Sequence, residues 1–580
     1  MKKYFLIFAA ALVALAACEK APTDEGKDEG KDKPEVVADA VTLSSDAVLS
    51  IDGSSSIITI RFKATTAWTA TASDDYIVLN PASGEAGDVE LRATVQSLPD
   101  DTAGRTAKVT ITAGKASADV TIYQGVVFEL STTWADFGVE GGTLEFSLVT
   151  NLEYEVTTYD SFDWAPATFD KSTGTGKITV APSKEYDERV AYVKFTIPAI
   201  QDPILDDEGN DTGETKDHVE RVYVAQAGNR QVVWTQDFFW GMFSMGARHS
   251  VAALGDYFVV NAPKDPDNGT GGLMIFKKSD GSYVSTVPAP VSFTGIANDD
   301  AGNIILTAGG DYPIDEETWA LLVEEQIPLT VYFIRATDAA AALSSGSMPA
   351  LSPAITYANE FYGYGLDNVR VTGDVFGNAV ITMVSAAYQE GSEPDAWNCR
   401  TVAWQVTGGV VNSAPAASRT VPAYDSVWTS ADLVSIHLDT NANGPVLYMG
   451  YDANYQLWYA SSMTADWQDV LDSGSSWVEG YGSMDIIEWN GHRYLGLVAE
   501  TYFAWYGWGS LPSYLWIINI DDPTAPFAIA KTPIDISGND GTWQYGATAD
   551  LVLCVEGSDL AAYVVDAGVS VYTKIVYPAL

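Results

Sequence analysis

From residue 39 onward the chain is written in short runs of period two, cut every few residues by Gly, Pro, Asn and Asp, with almost no helical periodicity. Ile57 to Phe62, Trp68 to Ala72, Val89 to Val95, Lys108 to Thr112 and Asp119 to Tyr123 all read this way. Alternation sends successive side chains to opposite faces of a strand, so each run has one face to bury and needs a second layer to bury it against. The fold class is therefore all-β, built from sandwiches, barrels or propellers. At 580 residues the chain exceeds what one hydrophobic core supports, and two to four domains are expected.

The first 18 residues obey another rule. Lys2 and Lys3 precede an apolar run from Phe5 to Leu15, and Leu15-Ala16-Ala17-Cys18 closes it with small residues. That is the layout of a secretory signal, and the run is too short to remain in a bilayer of about 30 Å as a spanning helix. Leu15 to Cys18 resembles the lipobox of bacterial lipoproteins, which implies lipidation of Cys18 and anchoring by lipid. The alternative is an ordinary signal peptide that happens to contain a cysteine. Residues 19–38 have little to bury and read as a disordered tether. Acidic residues so soon after the cysteine resemble the export signals of Bacteroidetes surface lipoproteins, implying exposure on the outer membrane.

Lys and Arg number 31 against 77 Asp and Glu, a formal charge of −46. Phosphate recognition needs basic clusters, so nucleic acid is excluded as a partner; the acidity reads as solubility outside the cell. After the signal only Cys399 and Cys554 remain, which leaves either one disulfide or two buried thiols.

Residues 39–125 read as one small β-sandwich and residues 126–228 as a second, each ending alike, in Tyr123-Gln124-Gly125 and in Ala225-Gln226-Ala227-Gly228. The order of Trp68, Asn80-Pro81-Ala82-Ser83-Gly84, Gly104-Arg105-Thr106-Ala107 and Gln124-Gly125 resembles the BACON domain of Bacteroidetes surface proteins. The second copy matches less well, with Tyr154 where the first has Trp68. The resemblance implies an immunoglobulin-like fold and a proposed carbohydrate-binding role, although such domains also act as spacers. Trp68 alternates with Thr69 and Thr71 and reads as core. Neither sandwich is expected to carry clustered exposed aromatics. An acidic insertion from Asp202 to Asp217 lacks calcium-loop spacing and reads as a solvated hairpin tip.

Fourteen of the 17 tryptophans follow Gly228. Over residues 229–580 an aromatic residue followed by a small one precedes a turn-linked strand pair at Phe243, Phe293, Tyr364, Trp428, Tyr481 and Tyr545. Six such copies predict a β-propeller of about six blades, in which radial stacking leaves little unpaired edge. Asp315 to Glu325 is the one persuasive helix.

In a propeller the segments leading into each blade and those joining its second and third strands share one face. Trp240, Trp477 and Trp543 fall on the former, with Phe238 and Phe239. Trp505, Tyr506 and Trp508 fall on the latter, with Phe503. Flanked by Gly507 and Gly509, three large aromatics in four positions cannot all face one interior, and such planes beside Asp, Asn and Gln suit sugar rings. The six repeated aromatics, by contrast, read first as packing between blades. His218, His249, His437 and His492 share no metal-ligand motif, and nucleophile elbow, phosphate loop and dinucleotide fingerprint are missing, so no catalytic residue, metal or cofactor is assigned. The expectation is a surface lipoprotein whose two sandwiches act as spacers and present a propeller that binds extracellular glycans. In architecture it resembles Bacteroidetes glycan-capture lipoproteins, which implies outer-membrane importers as partners. A propeller enzyme cleaving glycans, and a protein-binding adhesion or assembly factor, are the alternatives.

Overall fold

A computed structural model describes residues 38–159, 161–205, 211–237, 250–262, 272–310, 327–358, 366–385, 399–422, 434–449, 456–472, 482–499, 514–534, 549–566 and 571–580. Regular structure among these residues is strand throughout, apart from one short helix, Ala336–Ser344, and the fold is all-β. Residues 1–37 and the helix expected at 315–325 lie outside the described residues. The sequence pattern misses the helix at 336–344 because five of its nine residues are alanine and carry no apolar stripe. Only Ala339 and Leu343, four residues apart, are buried.

The chain forms two compact units: the first sandwich belongs to one, and the second sandwich with the propeller makes up most of the other. In the first sandwich one sheet runs in the order Val41–Leu43, Ser56–Ala64, Gly87–Val95, Ile77–Asn80. The other runs Val48–Ile51, Ala116–Gly125, Gly104–Ala113, Trp68–Ala72, Ser83–Gly84. Alternation sorts the side chains: Ile60, Phe62, Leu91 and Ala93 from one sheet meet Val109, Ile111, Val120 and Ile122 from the other. Trp68 is core, edge-on to Phe62 at 4.9 Å. Gly84 leaves room for its indole, since a Cβ there would stand 2.9 Å from Nε1.

One polar residue is sealed into this sandwich. Gln124 Nε2 donates to the carbonyls of Gln96 at 2.8 Å and Ser54 at 3.0 Å, and Gln124 Oε1 accepts from Arg105 Nε at 2.8 Å. The Arg105 guanidinium in turn lies 3.5 Å over the Tyr76 ring. The second sandwich repeats the clamp: Gln226 Nε2 donates to Ala181 O at 2.9 Å and Val139 O at 3.1 Å, its Oε1 accepts from Arg189 Nε at 2.9 Å, and Arg189 lies 4.3 Å over Trp164. Both glutamines are buried, where such a group must satisfy its hydrogen bonds to be tolerated. One sheet of this sandwich runs Trp134–Phe137, Asp211–Gln226, Arg189–Leu205, Glu155–Thr157. The long pair carries the acidic insertion, and residues 211–217 are exposed, as a solvated hairpin requires.

Six antiparallel sheets follow. Their first strands are Val251–Leu254, Gly295–Asn298, Leu366–Gly373, Val434–His437, Gly482–Trp489 and Ala549–Glu556. Each of these packs on the next and the last packs on the first, closing a six-bladed propeller. Turns such as Asn490-Gly491, both at positive φ (53° and 78°), join first to second strands. Trp489 pairs with His492 across that turn, the two-residue hairpin for which Asn-Gly is the favoured sequence. Gln231–Asp237, which precedes the first blade, pairs with Val571–Tyr577 and supplies the outer strand of the sixth. This locks the beginning of the propeller to its end.

The second sandwich and the propeller share a core. Tyr186 packs 5.5 Å from Tyr577 and 6.3 Å from Trp489, and its hydroxyl donates to Pro578 O at 2.9 Å. Burial pushes this phenol up to about 12. Next to it, Asp187 accepts from Arg230 Nη1 at 2.5 Å and from Lys531 N at 2.8 Å. The second sandwich is thus docked on the blades.

Candidate functional site

Strand register gathers at one end of the propeller the described strand ends that border the segments of interest. In the fifth blade Gly482 pairs with Ala499, Ala499 with Tyr514, and Tyr514 with Pro533, so the described residues bordering 473–481, 500–513 and 535–548 stand together at one end of the sheet. In the first blade Val251 pairs with Val260, Ala262 with Gly272 and Gly272 with Pro288, which does the same for 238–249 and 263–271. The candidates Trp240, Trp477, Trp505, Tyr506, Trp508 and Trp543 belong to these segments and lie outside the described residues, as do Phe238, Phe239 and Phe503. Of the six repeated aromatics one is described. Phe293 is 1 % exposed in the core between the first two blades, 6.3 Å from the Tyr332 ring, so at this position the repeat is architecture.

Beneath that end, on the axis, sits a buried polar cluster. Arg370 and Asp550 pair at 2.5 Å with side chains 5 % and 4 % exposed. Arg370 Nε donates to Met484 O at 2.5 Å, Nη1 to Val369 O at 2.7 Å, and Nη2 also to Ser483 Oγ. Ser483 Oγ donates to Asp550 Oδ1, while Asp550 Oδ2 accepts from Val251 N at 2.8 Å. The third, fifth, sixth and first blades are thereby tied through one guanidinium and one carboxylate. With its nitrogens engaged by protein, Arg370 is a brace rather than a ligand-binding group. The sequence reading missed it, though a signal exists: Arg370 stands alone between Val369 and Val371, and Asp550 between Ala549 and Leu551.

Asp485 lies two residues from Ser483. Its Oδ2 accepts from Leu553 N at 2.7 Å and its Oδ1 from Ile486 N at 2.9 Å, yet burial pushes the carboxyl up to about 7. His437 is fully buried, its Nδ1 2.8 Å from Thr382 Oγ1, and burial lowers it to about 4, so it is neutral at pH 7. Cys399 and Cys554 are not joined by a disulfide, and burial pushes Cys554 up to about 11, which keeps it protonated and unreactive. Among the described residues no group of three His, Cys, Asp or Glu side chains could hold a metal.

The second sandwich carries a cluster of aromatics, half-buried apart from the exposed Trp134, where neither sandwich is expected to carry clustered exposed ones. On the outer face of its sheet, Trp134, Tyr223, Tyr192, Tyr159 and Phe162 form a row in which neighbouring ring centroids stand 5.2 to 5.7 Å apart. Trp134 is 49 % exposed. These residues are scattered over three strands and a turn, and only pairing brings them together.

Residues 66–125 match the model of the BACON family, described as "Putative binding domain, N-terminal", and residues 344–531 match a family described as a domain of unknown function, DUF8500. No curated protein matches. Solved structures with some likeness include a Bacteroides ovatus GH5 xyloglucanase in complex with a XXXG heptasaccharide, 24% identical over 15% of this chain and 19% of that one, with a TM-score of 0.14. The β-propeller domain of the Trilobed protease from Pyrococcus furiosus is 8% identical over 58% of this chain and 85% of that one, with a TM-score of 0.27. Tandem Ig domains of titin are 7% identical over 32% and 98%, with a TM-score of 0.16. Strand order and register, rather than these likenesses, define the propeller.

Two outcomes are expected of the axis. Asp550→Ala leaves Arg370 buried without its counter-charge and should lower the stability of the propeller by about 3–5 kcal/mol; urea unfolding followed by tryptophan fluorescence measures this, and a loss below about 1 kcal/mol would contradict the brace. Asp485 has a folded pKa above its unfolded one, so the folded state holds an extra proton between about pH 4 and pH 7. Stability relative to Asp485→Asn should therefore fall as pH rises through that window, by at most about 1.4 kcal/mol per pH unit, and be flat above it. Parallel curves of unfolding midpoint against pH for the two proteins would show the carboxyl to be unshifted.

Proposed function

We propose that this is a lipid-anchored protein of the outer membrane, exposed at the cell surface, whose propeller binds extracellular glycans. Lipid at Cys18 and the tether of residues 19–38 present the folded part to the medium. The observation that carries the binding role is the register of the blades: the described strand ends that border the segments of Trp240, Trp477, Trp505, Tyr506, Trp508 and Trp543 lie at one end of the propeller. Aromatic faces there stack on sugar C–H faces while neighbouring polar groups take the hydroxyls. The second sandwich is a diverged BACON domain, a reading supported by the Gln226 and Arg189 clamp that mirrors Gln124 and Arg105. Outer-membrane importers are the partners that such a capture protein would serve.

The anchor and the site are tested separately. Cys18→Ala should move the protein from the membrane to the soluble fraction without changing its unfolding profile, and continued membrane association would remove the lipid anchor. Trp505→Ala and Trp508→Ala, in the soluble mature chain, should each weaken binding to a soluble polysaccharide several-fold, because a central aromatic is typically a dominant contact. Unchanged affinity in both would remove this face as the site. Shortened glycan products in the same mixtures would replace capture with cleavage.

A further inference from the structure

We propose that His218 is an acid-set clasp on the long hairpin of the second sandwich: with both ring nitrogens protonated it fastens the outer part of the hairpin, and loss of one proton releases that part. The geometry asks for two protons. Nδ1 stands 2.9 Å from both carboxylate oxygens of Asp202 on the facing strand, and Nε2 stands 3.0 Å from Glu220 Oε1 on its own strand. An ionised carboxylate only accepts, so each nitrogen has to donate, and only the imidazolium carries an N–H on both. In the neutral ring one lone pair would face a carboxylate oxygen.

The position of the clasp gives it leverage. Arg189–Leu205 and Asp211–Gln226 are inner strands of their sheet only near the body of the sandwich. On one side Glu155–Thr157 reaches no further out than Thr196, and on the other Trp134–Phe137 begins opposite Tyr223. Beyond these points the two strands pair only with each other among the described residues, and a two-stranded ribbon is marginal in water. Residues 211–217 are exposed, so the ribbon is tied by polar groups. Gln201 Nε2 donates to Asp217 Oδ1 at 2.7 Å, Thr215 Oγ1 to Gln201 Oε1 at 3.0 Å and Thr212 Oγ1 to Ile204 O at 2.7 Å. The link from His218 to Asp202 is the one whose charge depends on pH.

Charge makes the proton matter. Over residues 198–205 and 211–220 the two strands carry Asp202, Asp211, Glu214, Asp217 and Glu220 against Lys216 alone, so a neutral His218 leaves the ribbon almost wholly acidic. Asp202 and Glu220 are the charged groups that act on the imidazole. Asp217 is turned to Gln201, and the Arg221 guanidinium lies 5.3 Å over the Tyr192 ring. On the other strands packed against this one, Asp136 holds the Trp134 indole N–H and Lys177 stands opposite Glu145. Burial works against the charged ring, but the hydrogen bonds to Asp202 and Glu220 outweigh it and raise the titration above that of an ordinary histidine. The folded pKa thus exceeds the unfolded one. The stability it adds is complete below about pH 6.5 and is lost as pH rises through the folded value.

Two measurements on the soluble mature chain test the clasp. Ring NMR signals of its four histidines, assigned with His218→Gln, follow the titration of His218 directly. It should lie above about 6.5, and fall in Asp202→Asn and in Glu220→Gln. Amide hydrogen exchange, corrected for the intrinsic effect of pH, should quicken several-fold in peptides from residues 198–205 and 211–220 as pH rises through that titration. Peptides from residues 104–125 of the first sandwich should show no such step. In His218→Gln the step should vanish while the unfolding midpoint of the propeller stays unchanged, which separates release of the hairpin from loss of the fold. A titration at or below about 6.5, exchange without a step, or a step that persists in His218→Gln would each overturn the proposal.

Discussion

The propeller depends on one buried ion pair. Arg370 and Asp550 reach across the axis where six first strands converge, and between them they engage the third, fifth, sixth and first blades. Removing two charges from water is costly, and the cost is offset only where geometry is good and the remaining donors and acceptors are filled. Here they are filled by Met484 O, Val369 O, Ser483 Oγ and Val251 N. Directional bonds to backbone atoms of several blades add a fixed geometry on the axis to the apolar packing between sheets. The strand ends that border the aromatic segments inherit that registration.

Closure and docking extend the same logic outward. Gln231–Asp237 leaves the second sandwich and becomes the outer strand of the last blade, so the order of the ring depends on a segment that begins at the sandwich. Tyr186 and Asp187 secure this junction, one by burying a ring among Trp489 and Tyr577, the other by holding Arg230 and the backbone of Lys531. The second sandwich is therefore continuous with the propeller.

The two sandwiches separate what a scaffold requires from what a surface adds. Both keep a buried glutamine clamped by an arginine that lies over an aromatic ring, because that arrangement satisfies carbonyls at the mouth of the sandwich. Their outer faces differ completely. Lys108 and Asp119 pair in one, and Tyr192, Tyr223 and Trp134 lie against one another in the other.

Period-two alternation and spaced turns determined the all-β class, the burial of Trp68 and the solvated acidic hairpin, since each depends on neighbours within a few residues. Six aromatic and small-residue repeats foreshadowed the six blades, and the one described, Phe293, packs between blades because its neighbours in the chain already form the strands on either side of it. The helix at 336–344 was illegible, as its alanines carry no stripe, and the candidates from Trp240 to Trp543 lie outside the described residues. What only tertiary structure decided are the contacts made over long separations. Arg370 meets Asp550 across 180 positions, Tyr186 reaches Pro578 across 392, and Trp134 comes beside Tyr223 and Tyr192 by pairing three strands. Local pattern states which face of a strand is apolar; which distant strand lies beside it is set by how the whole sheet and ring close.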